Sequence, residues 1–263
     1  MTADSENIRK GWFGLPRRRP KLLFLHIPKT AGSSVSRGIE RAYRLSRYHI
    51  CSAPTWRATG YLTTAEPGSL AFEEQLHALR SHLLLNAAEE GTRFLTGHVW
   101  YTAALKRLRQ EKGFITAACL RDPVDRMISH YLYNRFNTRD HTHTTDDIET
   151  FLETPRAREM ATLYIKYLGG HAPDGDYHGE AARGRARAAL DDIDELGFLD
   201  ALPDFMDRVG ARIGARLKSG HRRKSPAMGR EEYAIRHSEE LRQRITALCA
   251  PDLELYEYAR NSH

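Results

Sequence analysis

The sequence predicts an α/β fold, a central parallel sheet flanked by helices in a single domain, and three observations lead to it. KLLFLHI (21–27) and GFITAACL (113–120) are continuous apolar runs of strand length, the pattern of strands buried on both faces. The segments between and after them carry helical spacing, so strands alternate with helices, as a parallel sheet requires. The 263 residues, 41% hydrophobic, are enough to bury one large core.

Residues 1–20 are polar, basic and punctuated by Gly and Pro, and read as a loose basic leader to a domain spanning 21–263. The first strand, bounded by Pro20 and Pro28, leads through PKTAGSS (28–34) into a helix over 34–45, with Val35, Ile39, Ala42 and Leu45 at helical spacing. The stretch 48–70 contains Pro54, Gly60, Pro67 and Gly68 and reads as irregular. A helix over 71–90 follows, with Phe72, Leu76, Leu79 and Leu83 on one face; then a short strand at 93–99 and a helix at 102–112. After the strand at 113–120, Asp122–Pro123 opens a helix to about Phe136, since Asp is a preferred N-cap and Pro suits the first helical position. HTHTTDD (141–147) is a polar break before helices at 147–153, 155–168 and 179–194. GFLD (197–200) reads as a last short strand, followed by an amphipathic helix with Phe205, Val209 and Ile213. RLKSGHRRKSPAMGR (216–230) reads as a basic loop, and two helices close the chain, which shows no internal repeat or low-complexity tract.

The net charge of +6 favours anionic partners without choosing among nucleotides, acidic glycans, nucleic acid or a membrane surface. Cys51, Cys119 and Cys249 are too few and too scattered for a disulfide framework or a zinc site; Cys119 reads as a small core residue, and a reducing cytoplasm is the expected compartment. Arg17–Arg19 followed by an apolar run imitates a signal peptide, but the run is too short and no small-residue cleavage site follows. No stretch of some 20 apolar residues is present, so no transmembrane segment is expected.

The loop at 28–34 is the first chemical signal. A helix N-terminus offers unpaired N–H groups and about half a positive charge, a natural anion site. Lys29, Thr30, Ser33 and Ser34 add a cation and three hydroxyls. It is not a Walker A loop, in which the lysine stands at the end; here it stands near the start. An ordinary βα turn with an exposed lysine is the competing reading of the loop alone.

FLHIPKTAGSS (24–34) resembles the 5′-phosphosulfate loop of sulfotransferases, in the form used by the glycosaminoglycan and bacterial carbohydrate branch. LRDPVDRMISHYLY (120–133) resembles that family's 3′-phosphate motif, Arg at a strand end with Ser eight residues later on the helix. The two stand in the family's order, about 90 residues apart, and the close match covers about 25 residues. The resemblance implies a P-loop-like sheet binding the donor PAPS (3′-phosphoadenosine 5′-phosphosulfate) across the C-terminal ends of its strands. It further implies O-sulfation of an acceptor hydroxyl, chiefly on a carbohydrate, with release of the nucleotide PAP.

The resemblance also assigns roles. Lys29 neutralises the bridging oxygen of the departing nucleotide. The backbone N–H groups of Thr30, Ala31, Gly32, Ser33 and Ser34, with the three hydroxyls, hold the 5′-phosphate, while Arg121 and Ser129 hold the 3′-phosphate. Arg222, Arg223, Lys224 and Ser225 resemble the C-terminal basic segment that covers the 3′-phosphate; a solvated basic loop is the alternative. Arg126 is expected to pair with Asp122 or Asp125 on the helix surface. The acceptor must lose a proton, and His98 in LTGHVW is the candidate base, because related glycan enzymes carry a catalytic His in a similar context. This chain departs from those with a paired His two residues earlier, having Thr96 there, which places the role of His98 in question. His26 reads as a hydrogen-bonded core histidine. His141 and His143 lie in a polar loop with neither Cys nor helical spacing, and no metal is implied.

Two rivals remain. A nucleotide kinase-like phosphotransferase would want a Walker A lysine and a strand-end Asp for Mg²⁺, and the sequence has neither. A non-catalytic basic nucleic-acid-binding protein would interleave a basic stripe with exposed aromatics, whereas Tyr131, Tyr133, Tyr164 and Tyr167 fall at helical spacings that suit packing. The regions expected to shape the acceptor pocket, 48–70 and 134–180, carry no motif that names the acceptor.

Overall fold

The computed structural model describes residues 19–138, 142–172, 175–218 and 226–263. Five parallel strands form one sheet in the order β2-β3-β1-β4-β5: β1 Lys21–Leu25, β2 Arg47–His49, β3 Phe94–Gly97, β4 Phe114–Leu120 and β5 Glu195–Phe198. β1 is central, with Leu25 opposite Gly97 on one side and Ala118 on the other. Its side chains alternate between two cores. Leu22 and Phe24 pack with Val35 and Ile39 of α1 (Gly32–Glu40) and with Phe205 and Val209 of α10 (Leu202–Ile213). Leu23 and Leu25 face the larger core, which includes Trp100, Tyr164 and Leu190. Every β1 residue after Lys21 is buried, which is why the strand reads as an unbroken apolar run. Cys119 is buried in the first of these cores, and burial pushes its thiol up to about 12.

Between β2 and β3 come α2 (Ser52–Thr59) and α3 (Leu70–Glu89); α4 (Ala103–Lys112) joins β3 to β4, and α5 (Pro123–Phe136) follows β4. Beyond α5 lie α6 (Ile148–Leu152), α7 (Pro155–Ala161), α8 (Leu163–Gly169) and α9 (Glu180–Asp192). The chain ends in α11 (Pro226–His237), α12 (Glu239–Leu248) and α13 (Ala250–Ser262). Val124, Ile128 and Leu132 of α5 form a third core with Phe151, Met160, Ile235 and Ile245. No helix among the described residues is long and apolar enough to cross a membrane.

The elements depart from expectation in five places. The stretch 48–70 is not irregular: β2 ends there and α2 lies within it. α2 hides its helical character by burying polar Thr55 and Thr59, whose hydroxyls donate to the carbonyls of Cys51 and Thr55; Pro54 falls in its first turn. α1 stops at Glu40, and Leu45, expected on its apolar face, is fully exposed. The expected helix 155–168 breaks at Thr162 because the Asp252 carboxylate, from α13, accepts the N–H groups of Tyr164 (2.9 Å) and Ile165 (3.2 Å) and starts a new helix there. The last strand begins at Glu195 and gives way to a 3₁₀ turn at Leu199–Ala201. The basic segment is helical from Pro226, so three helices rather than two close the chain. Most of the leader and the whole of 219–225 lie outside the described residues.

Candidate active site

Three adjacent strands deliver the expected residues to one edge of the sheet. β1 runs into the loop with Lys29, β3 into His98 and β4 into Arg121, and because all are parallel, their C-terminal ends meet.

The loop after β1 is held in an unusual backbone shape. Lys29 (φ 67°) and Ala31 (φ 64°) are left-handed, a conformation that costs a non-glycine residue about 1–2 kcal/mol. Thr30 between them is not, and such alternation is the backbone pattern of an anion nest; the Ser34 N–H, expected to take part, instead donates to the Ala31 carbonyl at 2.8 Å. The Thr30 hydroxyl donates to the Ile27 carbonyl at 3.0 Å and fixes the turn, so its proton is engaged within the loop. Ala31 is the N-cap of α1 and provides no side-chain cap, leaving the positive end of the helix directed at the loop. Gly32 is dictated by contact: a Cβ there would lie 1.9 Å from the imidazole of His26. Ser33 is exposed and Ser34 half-buried at the same helix start. The Lys29 ammonium lies 4.2 Å from the ring centroid of Tyr133 on α5, which places that helix against the loop.

His98 is half-buried, and its Nδ1–H donates to the His26 carbonyl at 2.7 Å. That bond selects the tautomer and leaves Nε2 with the lone pair. Burial lowers its pKa to about 4; the bond to His26 opposes this, while Arg80, His49 and Lys29 add to it. The ring is therefore neutral at pH 7. The His98 carbonyl accepts Arg80 Nη1 (2.9 Å), and Arg80 Nε donates to Thr55 (3.1 Å), so α2 and α3 fix the exit of β3. The stretch 48–70 accordingly lies beside the candidate base. His26 is buried, 4.2 Å from His98 between ring centroids, and is held well below the ordinary histidine value by burial and by His98 and His49. Its Nδ1 has no hydrogen-bond partner among the described residues, so the expected hydrogen-bonded core histidine is a core histidine packed under the loop.

Arg121 is half-buried, and its main chain is clamped by one hydroxyl: Tyr164 Oη accepts from the Arg121 N–H (2.8 Å) and donates to its carbonyl (2.5 Å). Asp122 caps α5 by accepting the Asp125 N–H at 2.9 Å, and Ser129 stands half-buried two turns along. Arg126 is not on the surface. It is fully buried, donates to the carbonyls of Met160 (2.8 Å) and Ala161 (3.3 Å), and lies 3.4 Å from Asp252 and 5.1 Å from the Tyr164 ring centroid. Of the two acids expected to hold it, Asp122 caps α5 and Asp125 is paired with Arg236 of α11. α11 to α13 cover α5, so a position that faces solvent on an isolated helix is here internal.

His130 was not singled out by the sequence, and Tyr133 was read for packing alone. His130, beside Ser129, has a buried Nδ1 with no hydrogen-bond partner among the described residues. It is held well below the ordinary histidine value by burial and then by Arg126, Lys29, Arg156 and His98. Tyr133 serves Lys29 rather than packing alone, whereas Tyr131, Tyr164 and Tyr167 are buried as expected. The available signal was the spacing of Arg126, His130 and Tyr133 along α5. His143 Nδ1 bonds to the Asn134 carbonyl (2.9 Å) and closes its segment onto the end of α5. Arg222, Arg223, Lys224, Ser225 and His141 lie outside the described residues.

Phosphate-type anions thus have a nest, a helix N-terminus, a lysine and an arginine on one sheet edge, with a neutral histidine beside them. The structure is similar to the crystal structure of a sulfotransferase from Alicyclobacillus acidocaldarius, at 16% identity and a TM-score of 0.44, over 91% of this chain and 99% of that one. No curated protein matches the chain. The model of the sulfotransferase family matches residues 16–167, from β1 through most of α8 and including every site residue described above except those on the C-terminal helices. With more than half its length matched, the chain belongs to the sulfotransferase family.

Proposed function

We propose that the chain is a PAPS-dependent O-sulfotransferase acting in a reducing cytoplasm on a sugar hydroxyl, with residues 21–263 as its catalytic domain and 1–20 as a basic leader. The observation that carries the reading is the meeting of Lys29, His98 and Arg121 at the ends of three neighbouring strands. The left-handed backbone at Lys29 and Ala31 supports a 5′-phosphate site, because strain of this kind persists where surrounding structure enforces it.

Sulfuryl transfer resembles phosphoryl transfer, an in-line displacement governed by positioning and charge stabilisation. The acceptor oxygen bonds to sulfur as the bond from sulfur to the 5′-phosphate oxygen breaks. The electron pair leaves on that oxygen, giving PAP, and Lys29 neutralises the charge that builds there. The acceptor proton passes to Nε2 of His98, which is free to receive it because Nδ1 carries the hydrogen bonded to His26.

Thermal denaturation with PAP and with ATP tests the reading. PAP should raise the melting temperature through linkage, and ATP, which lacks a 3′-phosphate, should do so much less. Equal stabilisation would mean that Arg121 and Ser129 do not read a 3′-phosphate. Lys29→Ala should retain most of the PAP effect yet lose at least about 10²-fold in kcat, the scale for one charge-stabilising donor.

A further inference from the structure

The opposite end of α1 carries a second concentration of positive charge that the transfer reaction does not use. There a cavity of about 420 Å³ is lined by Arg19, Arg41, Arg216 and Lys218, among others. No carboxylate stands among the described residues that line it. Glu40, the neighbouring acid in sequence, is engaged elsewhere by His49 (2.8 Å) and Arg47. α1 has nine residues, so at 1.5 Å per residue the cavity lies roughly 13 Å along the helix from the loop at Lys29.

The walls are built. Gly38 lets the main chain of 215–218 lie directly on α1: a Cβ there would meet the Lys218 carbonyl oxygen at 2.8 Å. Gly210 admits the same segment to α10, where a Cβ would meet the Ala215 oxygen at 2.5 Å, and Leu217 is buried beneath it. Arg19 is immobilised, donating to the carbonyls of Ala42 (3.0 Å), Ile213 (3.1 Å) and Gly214, and so offsets the negative end of α10. Arg41, Arg216 and Lys218 are exposed, and no described carboxylate pairs with them. Arg41, Arg216 and Lys218 around one cavity repel one another until an anion enters, and a guanidinium fork matches the oxygens of sulfate and phosphate esters.

We propose that this cavity is a second oxyanion site, separate from the donor loop, which takes a small multiply charged sulfate or phosphate ester. A volume of this size lies in the range of small-molecule pockets and exceeds the needs of one tetrahedral anion. The site stands apart from the reaction, so its test needs neither donor nor turnover. Calorimetric titration at fixed ionic strength with pyrophosphate and with sucrose octasulfate should show one site that persists in a Lys29→Ala/Arg121→Ala variant. Arg41→Glu/Lys218→Glu should weaken it at least about tenfold, the loss of one charge-assisted bond or more. The milder Arg41→Gln/Arg216→Gln should weaken it in the same direction, which covers misfolding of the charge-reversed protein. Tighter binding of pyrophosphate identifies a phosphate source, and tighter binding of the sulfated disaccharide identifies a saccharide one. Binding by neither probe overturns the proposal, as does binding lost with Lys29 and Arg121 but unchanged by the Arg41 variants.

Discussion

Removing His98 separates a base from a brace. Its imidazolium is destabilised by burial to a pKa of about 4, which against the ordinary 6.5 is roughly 3 kcal/mol at 1.36 kcal/mol per unit. The ring is then essentially all neutral at pH 7 and always ready to accept, but it is a weak base. General bases contribute about 10²–10⁴-fold, with the best match near the working pH, so His98→Ala should lower kcat by about 10², the low end. The proportion of competent enzyme falls only when the ring protonates. The acidic limb of kcat/KM therefore belongs near pH 4 in the free enzyme, not near 6.5. His98→Asn is the control, since its amide can donate to the His26 carbonyl while offering no base. Steady-state assays with PAPS across pH 3.5–8, alongside melting curves, distinguish the cases. If Asn restores turnover while Ala does not, His98 braces the turn at His26 and catalysis uses another group. A limb near 6.5 would refute the burial on which the magnitude rests.

The same geometry fixes three further outcomes. Arg121→Ala should weaken PAP binding by about 1.5–3 kcal/mol and barely affect adenosine 5′-phosphosulfate; Tyr164→Phe, which loosens the Arg121 main chain, should follow the same pattern more weakly, and equal losses for both nucleotides would make these residues structural. Asp252→Asn should cost about 3–5 kcal/mol in urea denaturation because it strands the buried Arg126 charge. Arg126→Met should cost less, since burial already raises Asp252 to about 6 and the carboxyl can take a proton where arginine cannot; the reverse order would refute this. His26, His77, His98 and His130 are all lowered by burial, so below their ordinary 6.5 the unfolded chain binds protons that the folded one refuses, and stability falls with pH by up to about 1.4 kcal/mol per unit for each. Asp252 acts oppositely between about 6 and its ordinary 3.8 and offsets one such share, so calorimetry should give a lower melting temperature at pH 5 than at pH 7.

The central strands were legible because burial on both faces writes itself as an apolar run, and α5 because Asp122 and Pro123 mark its start chemically. The failures at α2, at the start of α8 and in the face of α3 share a cause in polar residues turned inward. α3 buries His77, Arg80 and Ser81 along with Phe72 and Leu76, so its inner face is not the leucine stripe the spacing suggests. His77 stacks on Trp100, with ring centroids 4.5 Å apart, and its Nδ1 accepts the Trp100 main-chain N–H; Arg80 reaches Thr55 and the His98 carbonyl. Unlike Thr55 and Thr59, which bond within their own helix, His77 and Arg80 are made tolerable by partners distant in sequence, and no local pattern encodes such a partner.

The site divides along the same line. Lys29 and Arg121 were visible because backbone placement alone, a loop after one strand and the end of another, brings them together. His130 and Tyr133 were not, because their role depends on how α5 lies across the loop, and that is settled by helices beginning a hundred residues later. Asp252 starts α8; α8 carries Tyr164; Tyr164 clamps Arg121 and faces Arg126. Arg236 reaches back to Asp125 in the first turn of α5. A charge buried this deeply is favourable only when its opposite arrives in register, which makes the C-terminal helices part of what positions this edge of the sheet.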